Sequence, residues 1–97
     1  MRKFEWDPAK DSANVRKHGF GFKQTEAGLE GPVVSRVDAR RDYGETRYIT
    51  LAAITPDFIA VVVHTDRGGV TRIISARPAS REERESYHAE TQKAARH

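Results

Sequence analysis

The chain contains no cysteine among its 97 residues. That absence excludes a disulfide framework, a thiolate-bound zinc and a cysteine nucleophile, and it fits a reducing cytoplasm. Long apolar runs are missing too: the longest, Phe58 to Val63, is far short of the about 20 residues that cross a bilayer. Met1 opens onto a segment that reads as folded, not as a charged leader with an apolar stretch. A soluble cytoplasmic protein with no membrane partner is expected. Gly19-Phe20-Gly21 does not sit between a strand and a helix, which argues against a phosphate-cradling nucleotide loop. The four histidines, His18, His64, His88 and His97, have no mutual i,i+4 spacing and no framing carboxylate pair. Neither a metal site nor a cofactor is expected. No G-x-S-x-G elbow is present, so acyl chemistry is set aside.

What remains is a small, charged, foldable chain. Its length suits one domain spanning residues 1–97, and surface scaling lets about 65% of the unfolded surface be buried. Only 37% of residues are hydrophobic and 32% are charged, against about 25% charged in an ordinary domain. Eight aromatics and seven glycines nevertheless do not describe a disordered chain. The net charge of +3 is unevenly spread: ten basic and ten acidic residues precede Arg67, and seven basic and four acidic follow from it. Six of those seven are arginine, the side chain suited to bidentate contact with phosphate or carboxylate, so an anionic partner is expected at the C-terminal third.

The element pattern is α+β: N-terminal helices, an antiparallel sheet of about four strands, and a C-terminal helix. Phe4-Glu5-Trp6 reads as a short strand or extended lead. Asp7-Pro8 supplies an N-cap and a first-turn proline for a helix ending at His18, with Gly19 as its stop. A second, weaker helix covers Phe22 to about Leu29. Strands follow at Val33 to Asp38, Thr46 to Ile54, Phe58 to Thr65 and Val70 to Arg77, separated by turn residues. Ser80 and Glu83 form a capping box for a last helix from Arg81 to about Ala95, whose apolar residues are few: Tyr87, Ala89, Ala94 and Ala95.

The candidate chemistry lies near the end of the sheet. Metal-free RNA cleavage needs a base for the 2'-hydroxyl proton, an acid for the 5'-oxygen and cations on the phosphorane. His64 is the candidate for proton transfer, and Arg72 and Arg77 are candidates for charge stabilisation. Antiparallel pairing is expected to bring His64 near Arg72, while odd spacing sets Arg72 and Arg77 on opposite faces of a regular strand. Arg77, beside Pro78 and the start of the last helix, is expected to share a phosphate with that helix's free N–H groups. Lys10, Arg67 and Arg81 are further candidate RNA contacts. In the competing structural account, His64 is a satisfied strand-end residue and the arginines pair with carboxylates such as Glu45 and Asp66. Lys10 and Lys17 then form a solvated face, although Asn14, Lys17 and His18 also suit a helix lining a groove.

Two motifs carry a resemblance. Trp6-Asp7-Pro8 with Lys10, Asn14 and Lys17-His18-Gly19, and Arg72-Ile73-Ile74-Ser75-Ala76-Arg77 with Ala79 and Glu83-Arg84, resemble the BrnT family of type II toxins. The likeness extends over about Phe4 to Tyr87. It implies a RelE-like fold and a ribonuclease toxin that inhibits translation by cleaving RNA. It also implies a cognate BrnA-type antitoxin, a ribbon-helix-helix-type DNA binder through which alone the toxin would meet operator DNA. The alternatives are a noncatalytic RNA- or protein-binding module, or an inactive relative kept as the antitoxin's corepressor.

Overall fold

The computed structural model describes residues 2–95. Eight elements follow one another: β1 (Lys3–Trp6), α1 (Pro8–His18), α2 (Phe22–Glu30), β2 (Val33–Val37), β3 (Arg47–Thr55), β4 (Phe58–Arg67), β5 (Val70–Pro78) and α3 (Arg81–Ala95). His97, and the side chains of Ala94 and Ala95 weighed above, lie outside what is described.

The expected helix ends are made by the expected residues. The Asp7 carboxylate accepts the Ala9 N–H at 2.9 Å, and Gly19 takes φ +80° while its N–H closes α1 on the Val15 carbonyl at 2.8 Å. Ser80 and Glu83 cap each other at 2.8 and 3.2 Å. The start of α2 is held from further away: Asp11 Oδ1 accepts the Phe22 N–H at 2.7 Å. A Cβ on Gly21 would stand 2.9 Å from that same oxygen, so a larger residue there would push the Asp11 carboxylate off its cap.

β2 to β5 form the antiparallel meander, but the sheet has five strands and is mixed. β1 pairs parallel with β5, Lys3 opposite Val70 and Trp6 opposite Ile73, giving the order β1-β5-β4-β3-β2. The α+β arrangement and the four antiparallel strands are those expected, and the lead Phe4–Trp6 joins them within a fifth, parallel strand that makes the sheet mixed. A four-residue strand whose partner lies nearly seventy positions away has no connecting turn to announce it. Pro8, which has no N–H to donate, lies just past the end of that pairing.

One sheet face packs beneath α1 and α2 through Phe20, Phe22, Leu29, Ala52, Val62 and Ile73, with Phe20 edge-on to Phe58 at 5.1 Å. The other carries a smaller cluster of Ile59, Val61, Ala79 and Tyr87 under α3. Tyr87 is the anchor of that polar helix; its hydroxyl donates to the Pro32 carbonyl at 2.8 Å, and burying such a side chain contributes about 1.5 to 3 kcal/mol.

β5 is not regular. Val63 faces Ser75 while His64 faces Ile73, leaving Ile74 without a partner. This bulge changes the parity of the strand, so that Ile73 and Ala76, three residues apart, enter the same core. Arg72 and Arg77 therefore share the α3 face, opposite Thr65 and Val61 respectively. The expectation of opposite faces is corrected, and the extra residue is the reason.

Candidate functional site

Because β1 ends opposite Ile73, the second half of β5 has no outer strand. The space is flanked by α1, and an open groove of about 550 Å³ runs between the helix and the bulged strand. Lys10, Lys17 and His18 line it from α1, Val61 and Val63 from β4, and Arg77 from β5. Arg40 reaches in from the loop between β2 and β3. The lining contains no aspartate or glutamate. Asn14, buried in α1, also borders the groove and donates through Nδ2 to the Phe20 carbonyl at 3.0 Å, fixing the chain just after the helix.

Arg77 enters the groove already oriented. Its two terminal nitrogens donate to the two Glu83 carboxylate oxygens at 2.8 and 2.9 Å. Glu83 Oε1 simultaneously accepts the Ser80 N–H. The anion at the N-terminus of α3 is thus Glu83 itself. The expected pairing of Arg77 with vacant helix N–H groups is corrected: the capping box that starts the helix also fills that position. Arg77's hydrogen bonds and charge hold the Glu83 carboxyl down at about 2, and the same bonds raise the guanidinium further above its ordinary value.

The other candidates lie elsewhere. His64 is buried at 5% exposure on the α1/α2 face, its Nε2 bonded to Thr50 Oγ1 at 2.7 Å and its ring stacked on Tyr48. Burial, then the nearby Arg2 charge, lowers its pKa. It borders a separate cavity of about 200 Å³ with Arg2, Tyr48 and Asp66. Arg72 stands opposite Thr65 on the other face and pairs with Glu5 of β1. The expected meeting of His64 with Arg72 does not occur: neighbouring residues of a strand point to opposite faces. Arg67 donates to Glu45 at 3.0 Å and Arg81 to Glu85 at 3.3 Å, both outside the groove.

Of the six sequence candidates, the groove brings together only Arg77 and Lys10. Lys17 and His18, noted only as a possible groove face, line it as well. Arg40 was missed entirely; no motif surrounds it, and its place depends on how a loop folds. Among the described residues no three His, Cys, Asp or Glu side chains gather where they could hold a metal ion. No helix there is long and apolar enough to cross a membrane.

Comparison with known proteins fits this geometry. A search of curated proteins returned no match. The chain is similar to the ribonuclease toxin BrnT of Brucella abortus, known from a 1.1 Å crystal structure, with 25% identity and a TM-score of 0.61, over 84% of this chain and 100% of that one. The family model described as "Ribonuclease toxin, BrnT, of type II toxin-antitoxin system" matches residues 6–83, from the tryptophan that ends β1 to the glutamate that holds Arg77. By that match the chain belongs to the BrnT family of ribonuclease toxins.

Proposed function

We propose that this toxin is a metal-independent endoribonuclease that cleaves RNA in the groove beside α1, inhibits translation in doing so, and is neutralised by a BrnA-type antitoxin covering that groove. The observation carrying the proposal is the lining: Lys10, Lys17 and Arg77 converge with His18 where no carboxylate intervenes. Lys10 and Lys17 make no ion pair among the described residues. Lysines in such a position hold a polyanionic backbone.

The chemistry is a transesterification. The 2'-oxygen forms a bond to phosphorus as the bond from phosphorus to the 5'-oxygen breaks. One proton leaves the 2'-hydroxyl, and solvent water in the open groove delivers another to the departing 5'-oxygen. His18, the imidazole of the groove, takes the first proton, and Arg77 donates to the phosphorane oxygens as charge accumulates. Glu83 keeps the Arg77 fork in one orientation before substrate arrives, which reduces the ordering needed in the transition state. His64 and Arg72 serve the fold in this reading. The antitoxin places an acidic or amphipathic segment over the same cations.

Cleavage of an oligoribonucleotide in excess chelator tests the reaction class. The expected products end in a 2',3'-cyclic phosphate, and expression of the chain alone arrests bacterial growth. Activity lost to chelator and restored by magnesium, with 5'-phosphate ends, would replace this mechanism with metal-activated water. A folded chain that binds RNA and antitoxin yet cleaves nothing would leave the inactive corepressor. In the purified toxin-antitoxin complex the cleavage rate is expected to collapse; an unchanged rate would place the antitoxin off the groove.

A further inference from the structure

We infer that Arg40 is a second guanidinium ligand of the scissile phosphate and that Asp38 is the residue positioning it, an assignment resting on the groove as the cleavage site. Arg40 lies in the loop joining β2 to β3, at the opposite edge of the sheet from β1. It nevertheless lines the same groove as Arg77 and Lys10. Its charge is near enough to Arg77 to oppose that residue's protonated form. Two like charges held facing one depression repel unless an anion lies between them, and the lining offers none.

The loop is built to hold this arrangement. Asp38, only 4% exposed, is fixed at the end of β2 by its own N–H on the Arg47 carbonyl at 2.7 Å. Its carboxylate accepts four hydrogen bonds: Arg40 Nε and a terminal nitrogen, both at 2.8 Å, the Arg40 N–H at 3.2 Å and the Tyr43 hydroxyl at 3.0 Å. The Arg40 hydrogen bond is the main cause holding that carboxyl well below the usual carboxylate range. The Tyr43 ring is in turn covered by the Arg47 guanidinium at 4.1 Å and the Arg41 guanidinium at 5.2 Å.

The same device therefore occurs twice around the groove. Glu83 grips Arg77 from behind, Asp38 grips Arg40 from behind, and each guanidinium keeps unused N–H donors. A bidentate grip uses two of five such donors, which leaves three side-chain donors on Arg40 and two on Arg77, whose Nη1 also donates to the Pro78 carbonyl at 3.2 Å. Arg40's side chain remains 69% exposed while Asp38's is 1% exposed, so the free donors are on the accessible side. Two pre-oriented forks suit a phosphorane better than a ground-state phosphodiester, because the extra negative charge appears only in the transition state.

The test is cleavage kinetics of the purified full chain on an oligoribonucleotide, with melting temperature and antitoxin copurification measured alongside. Arg40→Ala is expected to lower kcat by about 10² to 10³ with little change in KM; it also lowers the melting temperature, because the buried Asp38 carboxylate loses its main partner, so the rate is read at a temperature where the variant is folded. Arg40→Lys is expected to recover little of that loss, since an ammonium lacks the fork. Asp38→Asn is expected to lower kcat with Arg40 still present, and the double variant Asp38→Asn/Arg40→Ala to be no slower than Arg40→Ala alone. If Asp38→Asn does not fold, Asp38→Glu, which keeps the charge and moves the fork, is read instead; parental kcat in that variant overturns the positioning role. Parental kcat in Arg40→Ala together with an inactive Arg77→Ala overturns this inference and leaves the groove reading standing. Parental kcat in both removes the groove reading itself. Activity that returns together with melting temperature in Asp38→Asn/Arg40→Ala, where the unpaired carboxylate is gone, makes the loop structural and overturns the assignment.

Discussion

Two depressions in this molecule each contain a histidine and arginine, and they are wired in opposite ways. Around His64 the charged groups have counterparts and, among the described residues, only the imidazole Nδ1 is left without one: Ser35, Thr50 and His64 form a chain of bonds at 2.7 Å each. Arg2 donates to Thr71 and to the Leu29 carbonyl, both at 3.0 Å, and Asp66 accepts from Thr71. In the groove beside α1 the carboxylates stand behind the arginines and none is on the lining. The same residue types thus hold the fold in one place and leave cationic capacity free in the other. Charge and residue type alone do not mark a site; the position of the counter-charge does.

The strongest way to break that comparison is to exchange its histidines. His18→Ala is expected to reduce cleavage by about 10² to 10⁴, the usual contribution of a general base, while His64→Gln leaves the rate of the folded protein unchanged. Cleavage rates on one oligoribonucleotide, with folding verified by circular dichroism, decide it. The reverse pattern would return proton transfer to His64.

Arginines provide the next contrast. Arg77→Ala is expected to lose about 10² to 10³ in rate, with the fold and antitoxin copurification intact. Arg77→Lys should be nearly as poor, because a point charge does not reproduce the fork. Arg72→Ala and Arg67→Ala remove partly exposed pairs with Glu5 and Glu45; such pairs contribute about 0 to 1 kcal/mol to stability and nothing to the rate expected here. Equal losses at Arg72 and Arg77 would mean that the strand delivers both to substrate.

Much of this architecture can be read from the chain because much of it is local. Asp7 and Gly19, and Ser80 with Glu83, each act within a few residues, and the structure uses them as expected. What escapes reading depends on distant contacts. The pairing of β1 with β5 has no turn between its partners, and the bulge at Ile74 carries neither glycine nor proline to signal it. That one residue decides which face receives Arg72. Asp11 caps a helix eleven positions away, and Arg40 belongs to the groove only once β2 and β3 have been laid beside β4. The family motifs indicate which halves of the chain matter but not how a free edge of β5 turns them into a groove.

A milder test sharpens the role of the lysines. Lys10→Ala is expected to weaken binding of a noncleavable RNA and to flatten the plot of log affinity against log salt by about 0.7, the value of one phosphate contact on a single strand. Arg81→Ala, exposed and paired within α3 to Glu85, leaves that slope unchanged. An equal change from Arg81 would extend the RNA path along α3, away from the groove.

The smallest expected effect concerns stability, and it comes from the one unpartnered atom of the His64 depression. Protonated His64 carries an N–H on both ring nitrogens, and Nδ1 is buried with no partner among the described residues. Burial and the Arg2 charge therefore keep the folded pKa below the ordinary 6.5, with Asp66 opposing them only in part. The unfolded chain binds this proton more readily than the folded one, so stability falls as pH drops below about 6.5 and stops falling once the folded imidazole also protonates. Glu83 acts in a lower window: with its folded pKa held at about 2, its contribution is present above the ordinary 4.5 and is lost as pH falls from there. Urea unfolding at pH 7.5 and pH 5.5 should therefore show a loss in the parent that His64→Gln lacks, while Glu83→Gln retains it. A parent whose stability is level between those two values would mean that the imidazole finds an acceptor, and the cavity beside it would then be no more closed than the groove.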